Sequence, residues 1–407
     1  MDMSILSRRH LLVSGLSAGL LAASGRAFAL PASRQTRLLL VFLRGAYDAA
    51  NVIVPVASDF YYQSRPTIAI AKPDPGNAKA ALPLDADWGL HPALADSIYP
   101  LWQKRQVAFV PFVGTDDMSR SHFETQDTIE MGQPLTSGRD YRSGFMGRLS
   151  QVMGPNEPIA FSNQVPLAFH DGALQVPNLA VANVGKPTFD ARQQGLINAM
   201  YAAPAAQALA PQVAVSQGFD VREEAYSSLQ DEMTKASRGA VNARGFEAQA
   251  RRVAALMHDR FNLAFMDVGG WDTHTYQGGA DGQLANKIGE LGRGLASFAR
   301  ESGPNWDSTT VIVISEFGRT FRENGDKGTD HGHGSVYWIL GGGVRGGRIV
   351  GPQVKLAPET LNQQRDLPVL TDYRAMLGGI FARLYGLSPD RIAKVFPAVR
   401  PVNLNLV

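Results

Sequence analysis

Four stretches of this chain are apolar almost without interruption: residues 37–43 (RLLLVFL), 107–113 (VAFVPFV), 262–268 (NLAFMDV) and 310–314 (TVIVI). Each runs into a loop that carries carboxylates or imidazoles. A strand with no polar alternation has no face to give to water, so it must be covered on both sides. Helical patterns separate the runs at 92–103, 244–259 and 282–300, the last with Leu284, Ile288, Leu291 and Leu295 at helical spacing. Strands alternating with helices predict βαβ units, hence an α/β fold with a mainly parallel central sheet flanked by helices. Residues 335–340 (SVYWIL) predict a further strand. The glycine-rich run after it, 341–348, lacks the Lys-Ser/Thr of a phosphate loop and predicts a tight turn into an edge hairpin. Thr371-Asp372 opens a helix over 373–385 that Gly386 ends, with Asp372 favoured by the helix dipole. Residues 150–245, rich in Pro, Ala and Gln, break the rhythm and read as an insertion or cap on a single domain over 30–407.

The first 29 residues read as a leader. Ser7-Arg8-Arg9-His10-Leu11-Leu12 is a twin-arginine pattern, 11–23 is apolar and rich in small residues, and Ala27-Phe28-Ala29 is a cleavage site. The apolar part falls short of the roughly 20 residues a spanning helix needs. Export to the periplasm or beyond is expected, with the twin-arginine translocase as partner during transit and no membrane span in the mature chain. The formal charge is +2, and the leader holds Arg8, Arg9 and Arg26 against Asp2, so the mature balance is near zero. Nothing in it points to nucleic acid. The absence of cysteine excludes disulfides, thiolate metal sites and cysteine nucleophiles.

Four of the seven histidines beyond the leader fall in three strand-end loops: His122, His274, His331 and His333. Each shares its loop with an Asp or Glu, and the carboxyl ends of parallel strands are where such folds bind ligands. His170 and His258 lack that company, and His91, before Pro92, reads as a helix cap. Asp48 follows the first strand, as a ligand or as an Asx-turn. Asp272 and His274 alternate around Thr273 and face one side of an extended loop, binding one ion together or with Asp272 orienting His274. Glu316 ends a buried strand and needs a partner, a metal or Arg319 three residues on. Asp330, His331 and His333 sit among Gly328, Gly332 and Gly334, which let the backbone turn them inward. The candidate metal set is thus Asp48, Asp272, His274, Glu316, Asp330, His331 and His333. Ser121 and Ser119 are the candidate nucleophiles at the start of a helix over 122–131, with Arg120 as an anion contact. Ser121 with Glu124 also satisfies a capping box.

At these residues the chain resembles the bacterial exported family known as domain of unknown function 1501. The matching stretches are Phe42-Leu43-Arg44-Gly45 with Asp48, Leu90-His91-Pro92-Ala93-Leu94, Ser119-Arg120-Ser121-His122-Phe123-Glu124, Gly270-Trp271-Asp272-Thr273-His274, Ser315-Glu316-Phe317-Gly318-Arg319-Thr320 and Gly328-Thr329-Asp330-His331-Gly332-His333-Gly334. That family is similar in fold to the alkaline phosphatase and sulfatase superfamily, whose plan pairs a hydroxyl nucleophile with two metal sites. The resemblance puts Asp48 at the first Asp and Ser121, or Ser119, at the nucleophile. Asp272 and His274 stand in the Asp/His region, at a gap narrower than the phosphatase spacing. Glu316 falls at the Asp-His dipeptide, with Phe317 in place of its His; Asp330-His331 is the alternative dipeptide. His331 or His333 would be the last histidine. Ala46 stands where the family commonly has Gly. The resemblance implies an exported hydrolase of small anionic phosphate or sulfate esters, with one or two divalent ions (Zn, Mn, Ca or Mg). A non-catalytic exported binding or assembly protein on the same scaffold is the alternative.

Overall fold

The computed structural model describes residues 36–172, 174–179 and 233–407. The leader, its cleavage site and most of the 150–245 insertion lie outside the described residues. Six principal strands build the sheet: β1 (Arg37–Leu43), β2 (Val107–Gly114), β3 (Pro158–Phe161), β4 (Leu263–Gly269), β5 (Thr309–Ser315) and β6 (Ser335–Leu340). Their order across the sheet is β2-β6-β5-β1-β4-β3, with Arg348–Ile349 outside β2, and two short strands pair with β2 and β4.

Strand β1 is central and parallel to both neighbours, with Leu38 opposite Leu263 on one side and Thr310 on the other. Its alternate residues feed two cores. Leu39, Val41 and Leu43 join the cluster beneath the helix Gln283–Glu301, while Leu38, Leu40 and Phe42 join the cluster beneath Phe145–Val152 and Tyr373–Tyr385. Two covered faces are why the run carries no polar alternation. The four leucine-type positions of Gln283–Glu301 are all buried, as their spacing requires.

Strand β6 is antiparallel to both β5 and β2. The connection from Ser315 to Ser335 contains no helix, so it cannot cross over the sheet and returns at the edge it left. The sheet is therefore mixed and mostly parallel. The turn expected after β6 forms, but not the hairpin: Arg348–Ile349 pairs parallel to β2, on the far side from β6. The helix expected over 92–103 is broken into a single turn at Pro92–Leu94, capped by His91, and a second helix at Ile98–Gln103. Among the described residues, no helix is long and apolar enough to cross a membrane.

Candidate metal centre

The carboxyl ends of β1, β2, β4 and β5 share one edge, because all four strands run in the same direction. The loop after β2 is shaped by Asp117, whose carboxylate accepts from the Ser119 amide (2.9 Å) and the Thr128 hydroxyl (3.0 Å). It leads into the helix His122–Met131, with Ser121 as N-cap. Only half of the capping box forms: Ser121 Oγ accepts from Glu124 N, while the Glu124 carboxylate turns to Arg139. Starting the helix at residue 122 places the His122 ring inward, 2% exposed.

Three imidazoles meet there. His331 Nε2 lies 2.9 Å from His122 Nε2 and 3.0 Å from His274 Nε2. The Asp272 carboxylate completes the group, with Oδ1 2.9 Å from His274 Nε2 and Oδ2 3.3 Å from His122 Nε2. Oδ1 is also held by the buried Arg319 guanidinium, whereas Oδ2 is buried and has no hydrogen-bond partner. The opposite nitrogen of each ring is engaged. His122 Nδ1 meets Glu316 Oε1 at 2.8 Å, His274 Nδ1 meets Asp330 Oδ1 at 3.3 Å, and His331 Nδ1 meets the Arg120 carbonyl at 2.9 Å. Carbonyls and carboxylates only accept, so each Nδ1 carries a proton and each Nε2 faces the centre.

Lone pairs facing lone pairs at this distance repel unless a cation or a proton sits between them. In the protein alone a proton serves. Burial works against a charged His122, but the Asp272 and Glu316 carboxylates beside it prevail and push its pKa up to about 9. Burial and the neighbouring His122 charge push His331 down, although Asp272 opposes them. Burial raises Asp272 less than the three imidazoles and Arg319 lower it, so it stays ionised. Hydrogen bonding to His274 holds Asp330 down to about 2.

The fit to a divalent ion is good. Ligand atoms of His122, Asp272 and His331 all lie within 4.8 Å of one another; His274 stands outside that set, on the flank of His331 and Asp272. A tetrahedral ion at the usual Zn–N length of about 2.0–2.1 Å sets its ligands roughly 3.3 Å apart. Each imidazole already has the outer hydrogen bond that fixes its tautomer in metal sites.

The other candidates lie differently. Glu316 is fully buried but offers no lone pair to the centre: Oε1 accepts from Gly45 N (2.7 Å), Gln126 Nε2 (3.0 Å) and His122, and Oε2 from Ser315 Oγ (2.9 Å). It orients a ligand instead of being one. Burial would raise its pKa, yet those bonds, His122 first, hold it below the ordinary value. Arg319, considered as the partner of Glu316, pairs with Asp272. Asp48 is saturated by Arg65 (2.5 and 3.0 Å) and Gln277 (2.6 Å). His333 is buried, its pKa lowered by burial and by the Arg120 charge, and its carbonyl accepts from Gly318 N. Ser119 Oγ meets Thr125 Oγ1 at 3.3 Å, and the Arg120 guanidinium is held by Asp366 and Gln363. Phe317, in the place of an expected ligand, stacks on the His122 ring with centroids 5.0 Å apart.

The glycines of the 328–334 loop serve close approach. A side chain at Gly332 would strike the backbone of Arg319. Gly45, with φ +114°, would set a Cβ 2.8 Å from the Asp272 amide, so the turn after β1 buttresses the Asp272 loop. Ala46 beside it takes φ +56°, a left-handed conformation that glycine adopts without steric cost.

His122 was within reach of sequence reasoning as one of four rim histidines. Its place at a helix start, after a sufficient capping serine, drew attention to Ser121 instead.

Fold and site together define a mixed α/β protein with an imidazole-rich centre at the carboxyl edge of its parallel strands. The chain belongs to the family described as Protein of unknown function (DUF1501), whose model matches residues 35–396. No curated protein matches it significantly. Among solved structures it is similar to Ps i-CgsB in complex with k-i-k-neocarrahexaose, at TM-score 0.37 and 9% identity, covering 91% of this chain and 75% of that one. A protein in the alkaline phosphatase superfamily from Vibrio parahaemolyticus is similar at TM-score 0.35 and 12% identity, covering 75% and 60%. BT1596, a 2-O GAG sulfatase, is similar at TM-score 0.34 and 9% identity, covering 90% and 73%.

Proposed function

We propose that this protein is an exported, metal-dependent hydrolase of phosphate or sulfate esters, with the ion held by His122, His274, His331 and Asp272. The observation that carries the reading is the convergence of three Nε2 atoms and the unpartnered Asp272 Oδ2, each ring locked from behind. Nitrogen-rich donor sets of this kind suit zinc and its late first-row neighbours better than magnesium or calcium. When bound, such an ion supplies a Lewis acid for an ester oxygen.

The chain's own residues do the rest. Glu316 and Asp330 fix the tautomers of His122 and His274, and Arg319 offsets the charge of Asp272. On this reading Ser121, immediately before His122 and at the N-terminus of a ten-residue helix, is the attacking hydroxyl, with the helix dipole favouring an anion beside it. Its Oγ accepts from Glu124 N and keeps its own proton to give up.

Metal content of protein recovered from the periplasm, together with arylphosphatase and arylsulfatase assays of wild type and Ser121→Ala, tests the reading. Folded protein with neither metal nor ester turnover overturns it. Phe317 stacked where a second ion's ligand was expected favours a second reading, a binding or assembly protein without hydrolysis. A partner whose capture survives alanine at Ser121, Asp272 and His331 would support that one.

A further inference from the structure

We infer that Arg120 and Asp366 form a positioning clasp for His331: the clasp holds the Arg120 carbonyl where it fixes the tautomer and direction of that imidazole. Arg120 takes φ +53°, a left-handed conformation that a residue with a side chain adopts at a cost, so something must hold it there. Its side chain supplies the hold. Asp366 Oδ2 accepts from Arg120 Nε at 3.0 Å and Nη2 at 2.7 Å, and Gln363 Oε1 accepts from Nη2 at 2.6 Å. The Asp366 side chain is 0% exposed, so this is a built contact, not a surface ion pair. Arg365 lies 3.3 Å from its other oxygen.

The anchor is tied to the same stretch of backbone as its target. Asp366 bridges Thr320, and Arg319 next to it bridges His331. Thr320 N donates to the Asp330 carbonyl at 2.9 Å, and Thr320 Oγ1 accepts from Asp330 N at 3.0 Å. His331 and the end of the clasp are therefore registered to one another through Thr320. The guanidinium closes the circuit and sets the Arg120 carbonyl 2.9 Å from His331 Nδ1. On this view Arg120 acts through His331, not as a contact to the substrate anion.

The test uses the full mature chain with 15N-labelled histidine, in wild type, Asp366→Asn and Arg120→Gly. Glycine relieves the left-handed backbone while removing the clasp, so it separates positioning from stability. In wild type without metal, His331 should be the Nδ1–H tautomer by NMR. In both variants that tautomer should give way to a mixture. Affinity for zinc alone should fall about 10–100-fold, the usual effect of losing an outer partner of a metal-bound histidine. Variants that fold and keep both the wild-type tautomer and the wild-type zinc affinity overturn the clasp. Should Asp366→Asn fail to fold, Arg120→Gly decides alone. The affinity arm rests on the metal reading above. A wild-type chain that takes no zinc sinks that reading, while the tautomer still decides the clasp.

Discussion

Asp48 and Asp272 follow the carboxyl ends of adjacent strands, are both about 1% exposed, and each faces a buried arginine. Asp48 has both oxygens on Arg65 and a third bond from Gln277. Asp272 gives one oxygen to Arg319 and keeps the other bare before three imidazoles. The two carboxylates are equally buried and each meets one arginine, so neither burial nor an arginine partner marks the candidate ligand. Only the leftover lone pair does. The nearby histidines repeat the contrast. His91 makes its ring hydrogen bonds to backbone: it accepts from Ala93 N at Nδ1 and gives Nε2–H to Gly279 O, and burial, outweighing the charges of Asp48 and Asp281, pushes it down to about 4. His122, between two carboxylates, rises to about 9.

The hardest test of this contrast is the pair Asp48→Asn and Asp272→Asn. Each strands a buried arginine, which typically costs about 3–5 kcal/mol in chemical denaturation. Only Asp272→Asn should lose metal, by more than the roughly 100-fold that outer-shell changes cost. Equal metal loss in both, by isothermal titration of folded protein, would break the comparison.

Acid titration of stability comes next. Because His91 is held near 4 in the folded chain, it favours the native state fully above the unfolded value near 6.5, and that advantage is lost as pH falls through 4. Linkage puts the loss at about 3 kcal/mol. His91→Gln, which keeps a neutral donor and acceptor, should flatten that part of the curve.

Glu316→Gln sharpens the role of a buried carboxylate that touches no ion. It should leave metal stoichiometry intact and weaken affinity about 10–100-fold by loosening His122. Complete loss of the ion would return Glu316 to the ligand shell. The smallest effect belongs to Ser121→Ala, about 1 kcal/mol for a lost cap. Metal uptake should be unchanged, and ester turnover, if Ser121 attacks, should vanish.

The strands were legible because both faces of each are buried, so burial leaves an unbroken apolar signature. Strand partners were less so. That Arg348–Ile349 lies beyond β2 depends on where the backbone goes after Gly347, and residue type does not encode that. In the site, Asp272 and His274 were legible by alternation and His331 by its glycine-rich loop. The fate of Asp48 was hidden, since its arginine lies 17 residues away on another element and no local pattern links them. The partner of Arg319 was hidden for the same reason, 47 residues back.

His122 and His331 are 209 positions apart, and the four candidate ligands hang from three loops that only the finished sheet brings together. A small zinc module folds around its ion; this centre has no preformed fragment for an ion to nucleate, so an ion bound as proposed would come last. Occupancy is then a report on completed folding. On the metal reading, an ion taken up by a chain that folds before export would record the supply where the chain was made, not where it works.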